Sequence, residues 1–202
     1  MKPQVVVFDL GKVLVEFDWT KAARNFAKHS VMNAEEIYKL LLHTPPLFKY
    51  ETGLLSNEEF VAEVSSSIGF RKGRDEFERL FSDIFEPING MIDAHASLRD
   101  KGIPTFIFSN TNDFAVKHIR KHYPFFNNFD GYILSYEHRS MKPDAKLYEV
   151  VEKTTGRRNG EIIYVDDRKE NVDAGAARGW QTVLHETPEL SRAALKKAGL
   201  LE

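Results

Sequence analysis

The sequence predicts an α/β architecture, a central parallel sheet flanked by helices with one all-helical stretch inserted into it. Three observations lead there. Short segments rich in β-branched and aromatic residues alternate with amphipathic helical patterns. Three of those segments, VVVF at 5–8, TFIF at 105–108 and IIYV at 162–165, are apolar on both parities. A strand needs that only where helices cover both of its faces. Finally, the stretch from Asp18 to about Asn89 holds four helical patterns and no strand signal.

Taken in order, the first strand is Gln4–Phe8. The inserted helices follow at Thr20–His29, Ala34–His43, Asn57–Ile68 and Asp75–Phe85. Ser56 with Glu59 three residues on forms a capping box for the third of them. Between the second and third lies TPPLFKYETG, Thr44–Gly53, read as a Pro-rich loop. The two crossings, near Asp18 and at Pro87–Gly90, are expected to be hinges. They divide the chain into residues 1–17 with 89–202, the sheet-bearing part, and 18–88, the helical part.

Beyond the insertion, a helix over Met91–Lys101 stops at Gly102. Strand Pro104–Phe108, helix Asp113–His122 and strand Tyr132–Leu134 come next. Pro143–Thr155 reads as a helix with proline just inside its start, Asp144 in its first turn and Gly156 after its end. Strand Glu161–Val165, helix Asn171–Arg178 ending at Gly179, and strand Gln181–Leu184 complete the alternation.

Composition narrows the class of function. The chain has 202 residues, enough for one ordinary domain or one core with a modest insertion. Charged residues make up 29% but nearly cancel, to a net −2, so no general attraction to nucleic acid or membrane is expected. There is no cysteine, which excludes disulfides and thiolate metal sites. The N-terminal apolar run is too short for a signal peptide and carries Asp9 within it, so the expected location is cytoplasmic. The oligomeric state is left open.

The polar residues that stand out share one placement. Asp9 follows VVVF, Ser109 and Asn110 follow TFIF, and Asp166 and Asp167 follow IIYV. In an open parallel sheet those strand ends meet along one edge, where ligands bind at the topological switch point. Lys142, in SMKPD, enters through the loop after the third strand, its backbone biased toward an extended form by Pro143. Three crowded carboxylates repel one another and call for a cation. Oxygen-only ligands suit Mg²⁺, which combines one or two carboxylates with water and phosphate oxygens. Lys142, a hydroxyl and backbone amides complete a cradle for an anion, and phosphate fits best, because its transfer depends on positioning and charge neutralisation. A carboxylate in such a site can act as nucleophile.

These four groups, D9-L10-G11-K12-V13, S109-N110, K142-P143 and D166-D167 followed by N171, resemble in content and order the motifs of the haloacid dehalogenase (HAD) superfamily. The resemblance covers the whole chain. FDLG, FSNTN, MKPDAKLY and VDDRKENVDAGAARG are most similar to a bacterial branch that includes α-D-glucose-1-phosphate phosphatase. It implies a Rossmann-like core with a helical cap of the C1 type. It further implies a Mg²⁺-dependent phosphatase acting on a small phosphorylated metabolite, such as a sugar phosphate, through an aspartyl-phosphate. By the same resemblance Asp9 is the nucleophile and a metal ligand, and Ser109 and the Asn110 amide hold phosphoryl oxygens. Lys142 neutralises nucleophile and phosphate. Gly11 ligates metal through its carbonyl and Asp167 through its carboxylate. Asp166 and Asn171 support them from behind, although Asp166 and Asp167 could exchange roles.

One departure matters. Most phosphatases of that superfamily carry an aspartate two residues after the nucleophile, as the acid for the leaving group; here that residue is Gly11. General acid catalysis is worth about 10²–10⁴-fold, roughly 3–5 kcal/mol. Two alternatives stand beside the phosphatase: a metal-independent dehalogenase-type hydrolase, and, because of Gly11, a phosphate-binding or regulatory protein that has lost turnover. A third possibility, that the leaving group needs little help, suits 1-phosphates and acyl phosphates.

Other features read more plainly. His118 and His122 stand at i, i+4 on one helix but lack a third ligand, and are assigned to a solvated helix face. The FFNNF run at 125–129 reads as core packing. Phe48, Lys49, Tyr50 and Glu51 are divided evenly between substrate selection and rim packing.

Overall fold

The computed structural model describes residues 1–202. Strand β1 (Val5–Phe8) leads through a turn into β2 (Val15–Phe17). Five helices follow without interruption: α1 (Trp19–Ala27), α2 (Ala34–His43), α3 (Pro45–Glu51), α4 (Asn57–Ile68) and α5 (Arg74–Ser82). Strand β3 (Phe85–Pro87) returns the chain to α6 (Asn89–Asp100), β4 (Thr105–Ser109), α7 (Asp113–His122), β5 (Gly131–Leu134) and the short α8 (Ser135–His138). Helix α9 (Ala145–Thr155), β6 (Ile162–Asp166), α10 (Lys169–Ala177), β7 (Gln181–Leu184) and α11 (Pro188–Lys197) complete it. No helix is long and apolar enough to cross a membrane.

Strands β5, β4, β1, β6 and β7 form one parallel sheet in that order. The chain leaves β1 on one side for β4 and comes back on the other as β6. The switch point therefore falls at the carboxyl end of β1. Side chains alternate across a strand, and both faces of β1 are covered. Val6 and Phe8 pack with Met91, Leu98 and Leu195, while Val5 and Val7 pack with Leu147, Tyr148 and Trp180. This is the reason the run VVVF has no polar parity.

The helical stretch has a core of its own, built on Phe26, Phe60, Phe77 and Phe81. Among its fully packed members only Phe114, at the start of α7, comes from outside the stretch. Burying such a ring contributes about 2–3 kcal/mol, so Phe114 fastens the helical layer to the sheet-bearing part.

Three expectations are corrected. Thr44–Gly53 is not a loop: Pro45–Glu51 is helical, with both prolines in the first turn and Leu47 and Tyr50 buried. Proline's missing N–H is no loss in a first turn, where those donors are unbonded anyway. Phe85–Pro87 is a strand after all. It pairs antiparallel with Val15–Phe17, Phe17 facing Phe85, so a two-stranded ribbon ties the two crossings together. Pro143 lies outside its helix, which is capped by Asp144 accepting from the Lys146 N–H at 3.0 Å. The capping box of Ser56 and Glu59 forms as read. Helices α8 and α11 had no counterpart in the sequence reading.

Candidate active site

The residues singled out by sequence converge at the carboxyl edge of the sheet. Asp9 follows β1 directly, Ser109 and Asp166 are the last residues of β4 and β6, and Asn171 lies in the first half of α10. Lys142 is the hub. Its side chain is 1% exposed, and its ammonium lies 2.7 Å from Asp166 Oδ2 and 3.0 Å from Asp9 Oδ1, and donates to the Phe108 carbonyl at 2.9 Å. The rings of Phe108 and Tyr164 flank it at 5.0 and 5.7 Å, adding a cation–π attraction where water is excluded. Its backbone is clasped by the Asn110 side chain, which accepts from the Lys142 N–H at 2.7 Å and donates to its carbonyl at 3.1 Å. The Asn110 side chain is thus a positioning device for Lys142.

The two aspartates on Lys142 are treated unequally. Asp166 is fully buried and accepts from Tyr164, from the Arg168 N–H at 2.8 Å, and from Asn171 at 3.0 and 3.1 Å. Burial would raise its carboxyl, but Lys142 and these donors outweigh that and hold it below the ordinary range. Asp9 has only Lys142 and the Leu10 N–H, at 2.6 Å. Burial pushes it up to about 7 despite the pull of Lys142. Desolvation acts to lower Lys142, yet the two carboxylates together raise it, so the ammonium stays charged. Of the two neighbours on the chain, Asp166 is locked into bonds. Asp167 is half-buried, and burial followed by the charge of Asp166 raises it.

Carboxylate oxygens of Asp9, Asp166 and Asp167 lie within 4.8 Å of one another. That spacing and an all-oxygen donor set fit a hard divalent cation. With Asp166 already saturated, Asp9 and Asp167 are the carboxylates with coordination to spare. Ser109 Oγ makes only a long 3.4 Å contact to the Asn110 carbonyl, which leaves its hydroxyl open to an anion.

Above this edge lies a cavity of about 250 Å³. Its floor is Asp9, Gly11, Asn110, Lys142, Asp167 and Asn171, and its walls include Phe17, Trp19, Leu42, Leu47 and Met141. Glu51, at the end of α3, faces both this space and a smaller one of about 80 Å³ against Ser109 and Asn112. Sequence reasoning had left Glu51 undecided and had missed Phe17, Trp19 and Tyr164. For Glu51, Phe17 and Trp19 the signal is spatial: α3, β2 and the start of α1 bring them to the sheet edge with no motif of their own, whereas Tyr164 stands inside β6, where an apolar run masks its hydroxyl. Tyr50, considered beside Glu51, is instead stacked on Phe60 at 4.2 Å inside the helical core.

A roomier cleft of about 330 Å³ separates α5 from α7. It is lined only by polar residues, among them His118 and His122, whose rings lie 4.5 Å apart. None of the converging carboxylates reaches it, and no third ligand joins the histidines there.

Residues 3–179 match the family of haloacid dehalogenase-like hydrolases. The chain is 26% identical over 184 residues to a D-ribitol-5-phosphate phosphatase of Bacteroides thetaiotaomicron, covering 88% of this chain and 89% of that one. Among solved structures it is similar to a HAD family enzyme of Bacteroides thetaiotaomicron in complex with magnesium and inorganic phosphate. The TM-score is 0.78 at 22% identity, over 91% of this chain and 94% of that one. A HAD-like family hydrolase from Porphyromonas gingivalis superposes with a TM-score of 0.80 at 24% identity, over 98% of each chain.

Proposed function

The chain belongs to the haloacid dehalogenase-like hydrolases, and from that premise we propose that it is a Mg²⁺-dependent phosphatase of a small phosphorylated metabolite. The observation that carries this is the site floor: a nucleophile, a shared ammonium, an open hydroxyl and a carboxylate pair on one sheet edge. A relative named as a phosphatase of a phosphorylated polyol supports the substrate class. The cavity of about 250 Å³ suits a substrate of that size.

In this reading an oxygen of Asp9 attacks phosphorus. The phosphoryl group passes to Asp9, and water later cleaves the aspartyl-phosphate. Lys142 faces both the nucleophile and the incoming charge, and the Ser109 hydroxyl and Asn110 N–H hold phosphoryl oxygens. Asp9, Asp167 and the Gly11 carbonyl would hold Mg²⁺, which when bound neutralises the carboxylates and the phosphoryl oxygens. Asp166 and Asn171 fix Lys142 and the start of α10. Residues 18–88 act as a cap on the part formed by 1–17 and 89–202, excluding bulk water. The carboxylate pair disfavours the dehalogenase alternative, which has no use for a cation site.

A screen of phosphorylated metabolites with Mg²⁺, with chelator, and with Asp9→Asn tests the proposal. Phosphate release is expected from the wild type with Mg²⁺ only, and none from Asp9→Asn. Release that survives both chelator and Asp9→Asn would refute it.

A further inference from the structure

Gly11 leaves the site without the usual acid, and the structure shows why an aspartate would not fit there unaided. A Cβ on Gly11 would lie 2.9 Å from Phe17 Cε1. The ribbon that ties the two crossings together fills that space with an aromatic ring. A replacement proton donor has to approach from another side of the cavity.

Glu51 does so. It shares one cavity with Asp9, Asp167 and Lys142, and the adjoining one with Ser109. Its backbone is fastened to the sheet-bearing part, because Ser135 Oγ donates to the Glu51 carbonyl at 2.6 Å. Two residues on, Gly53 adopts φ +71° and packs so tightly that a Cβ there would lie 2.0 Å from the Tyr136 carbonyl oxygen. Only glycine tolerates both conditions. The end of α3 is therefore held in place over the site, as a catalytic group requires.

The charges around Glu51 leave it a proton to give. Each cation lining the cavity has carboxylates of its own: Lys12 pairs with Glu16, Arg168 with Glu170, and Lys142 with Asp9 and Asp166. Burial pushes the Glu51 carboxyl up to about 8, opposed only by the Asn112 side chain.

We propose that Glu51 is the general acid of this site, taking the part that Gly11 cannot. The inference rests on the phosphatase reading. As Asp9 bonds to phosphorus, the bond from phosphorus to the leaving oxygen breaks. That oxygen keeps the electron pair and takes the Glu51 proton, and the alcohol departs. In the second half, Glu51 as carboxylate takes a proton from water while the water oxygen bonds to phosphorus. The bond to Asp9 breaks, its electron pair returns to Asp9, and inorganic phosphate leaves. Both residues regain their starting forms.

The test compares Glu51→Gln on a polyol phosphate, whose alkoxide leaves poorly, with p-nitrophenyl phosphate, whose leaving group needs no proton. Turnover of the polyol phosphate is expected to fall by about 10²–10⁴-fold, and that of p-nitrophenyl phosphate by less than about 10-fold. Equal losses on the two substrates, or no loss on either, overturn the proposal. Asp9→Asn separates this from the underlying reading, since it is expected to abolish both reactions. Turnover persisting in Asp9→Asn defeats the phosphatase itself. Should Glu51→Gln not fold, single-turnover rates of the wild type across a series of phenyl and alkyl phosphates decide the matter. A shallow dependence on leaving-group acidity is expected, and a steep one overturns the assignment.

Discussion

The two walls of the cavity handle carboxylates in opposite ways. On the sheet side, Asp9 and Asp166 share one buried ammonium, and Asp166 collects further bonds from Tyr164, Asn171 and a backbone N–H. On the helical side, Glu51 faces the same space with no cation of its own. The first wall keeps its charges by pairing them with an ammonium, and the second avoids a charge by holding on to a proton. A low-dielectric site allows both solutions, and a phosphatase needs both, one for the nucleophile and one for the leaving group.

Removing the neutraliser should have the largest effect. Lys142→Met leaves two buried carboxylates facing each other. Breaking a buried pair in this way costs about 3–5 kcal/mol, and phosphatase activity should vanish with it. The loss should itself depend on pH. Without the ammonium both carboxyls sit above their unfolded values. Their contribution is then greatest at low pH and is lost as pH rises through the folded values. Urea unfolding of Lys142→Met should accordingly show a smaller deficit against wild type at pH 5 than at pH 8. A deficit independent of pH would mean that Lys142 serves packing alone.

The same contrast explains what the sequence made legible. Asp9, Ser109 and Asp166 each sit at the end of a buried strand, and both the strand and its end are local signals, while Lys142 is marked only by the Lys-Pro pair in the loop beyond β5. Parallel order follows from the alternation, so the sheet edge could be assembled on paper. Nothing comparable marks the other wall. Glu51 lies in a segment whose two prolines suggest a loop, and it becomes a short helix only because Leu47 and Tyr50 find a core to enter. Phe17 reaches Gly11 through a three-residue strand whose partner, Phe85–Pro87, lies 68 residues further on in the register Phe17 to Phe85. Such pairings depend on tertiary closure, and a propensity reading of so short a run does not contain them. For Asp166 and Asp167 the resemblance gave an order but left their exchange open, because the bonds that occupy Asp166, from Tyr164, Asn171 and the Arg168 N–H, are tertiary.

Taking the proton-bearing wall out of the comparison should give an intermediate effect. The Glu51 carboxyl is raised from 4.5 to about 8 in the folded chain. Its contribution to stability is therefore present in full below pH 4.5 and is lost as pH climbs through 8. Glu51→Gln lacks that slope. Relative to wild type the variant should gain about 2–4 kcal/mol between pH 5 and pH 9, measured as the difference in unfolding free energy along the pH series. Parallel profiles for the two proteins would show that Glu51 ionises as readily in the folded chain as in the unfolded one, and the two walls would then both carry charge.

The smallest effect concerns the junction between the walls, where Phe17 occupies the room an aspartate would need. Only one side of the ring is close, with Cε1 at 2.9 Å and Cδ1 at 3.4 Å from the added Cβ, so the ring can yield by rotating. Lys12 lies 4.7 Å from its centre and Trp19 packs edge-on at 6.3 Å, so rotation disturbs both. Overpacking of this kind costs about 1–3 kcal/mol, and a ring edge that can swing belongs at the lower end. Gly11→Ala should therefore lose about 1 kcal/mol, and Phe17→Leu should recover most of it, a coupling of about 0.5–1 kcal/mol in a double-mutant cycle. If the two substitutions proved additive, Phe17 would not be what keeps position 11 a glycine. The reason for the missing acid would then lie in the backbone near Lys12, whose φ of +61° already places it in the left-handed region.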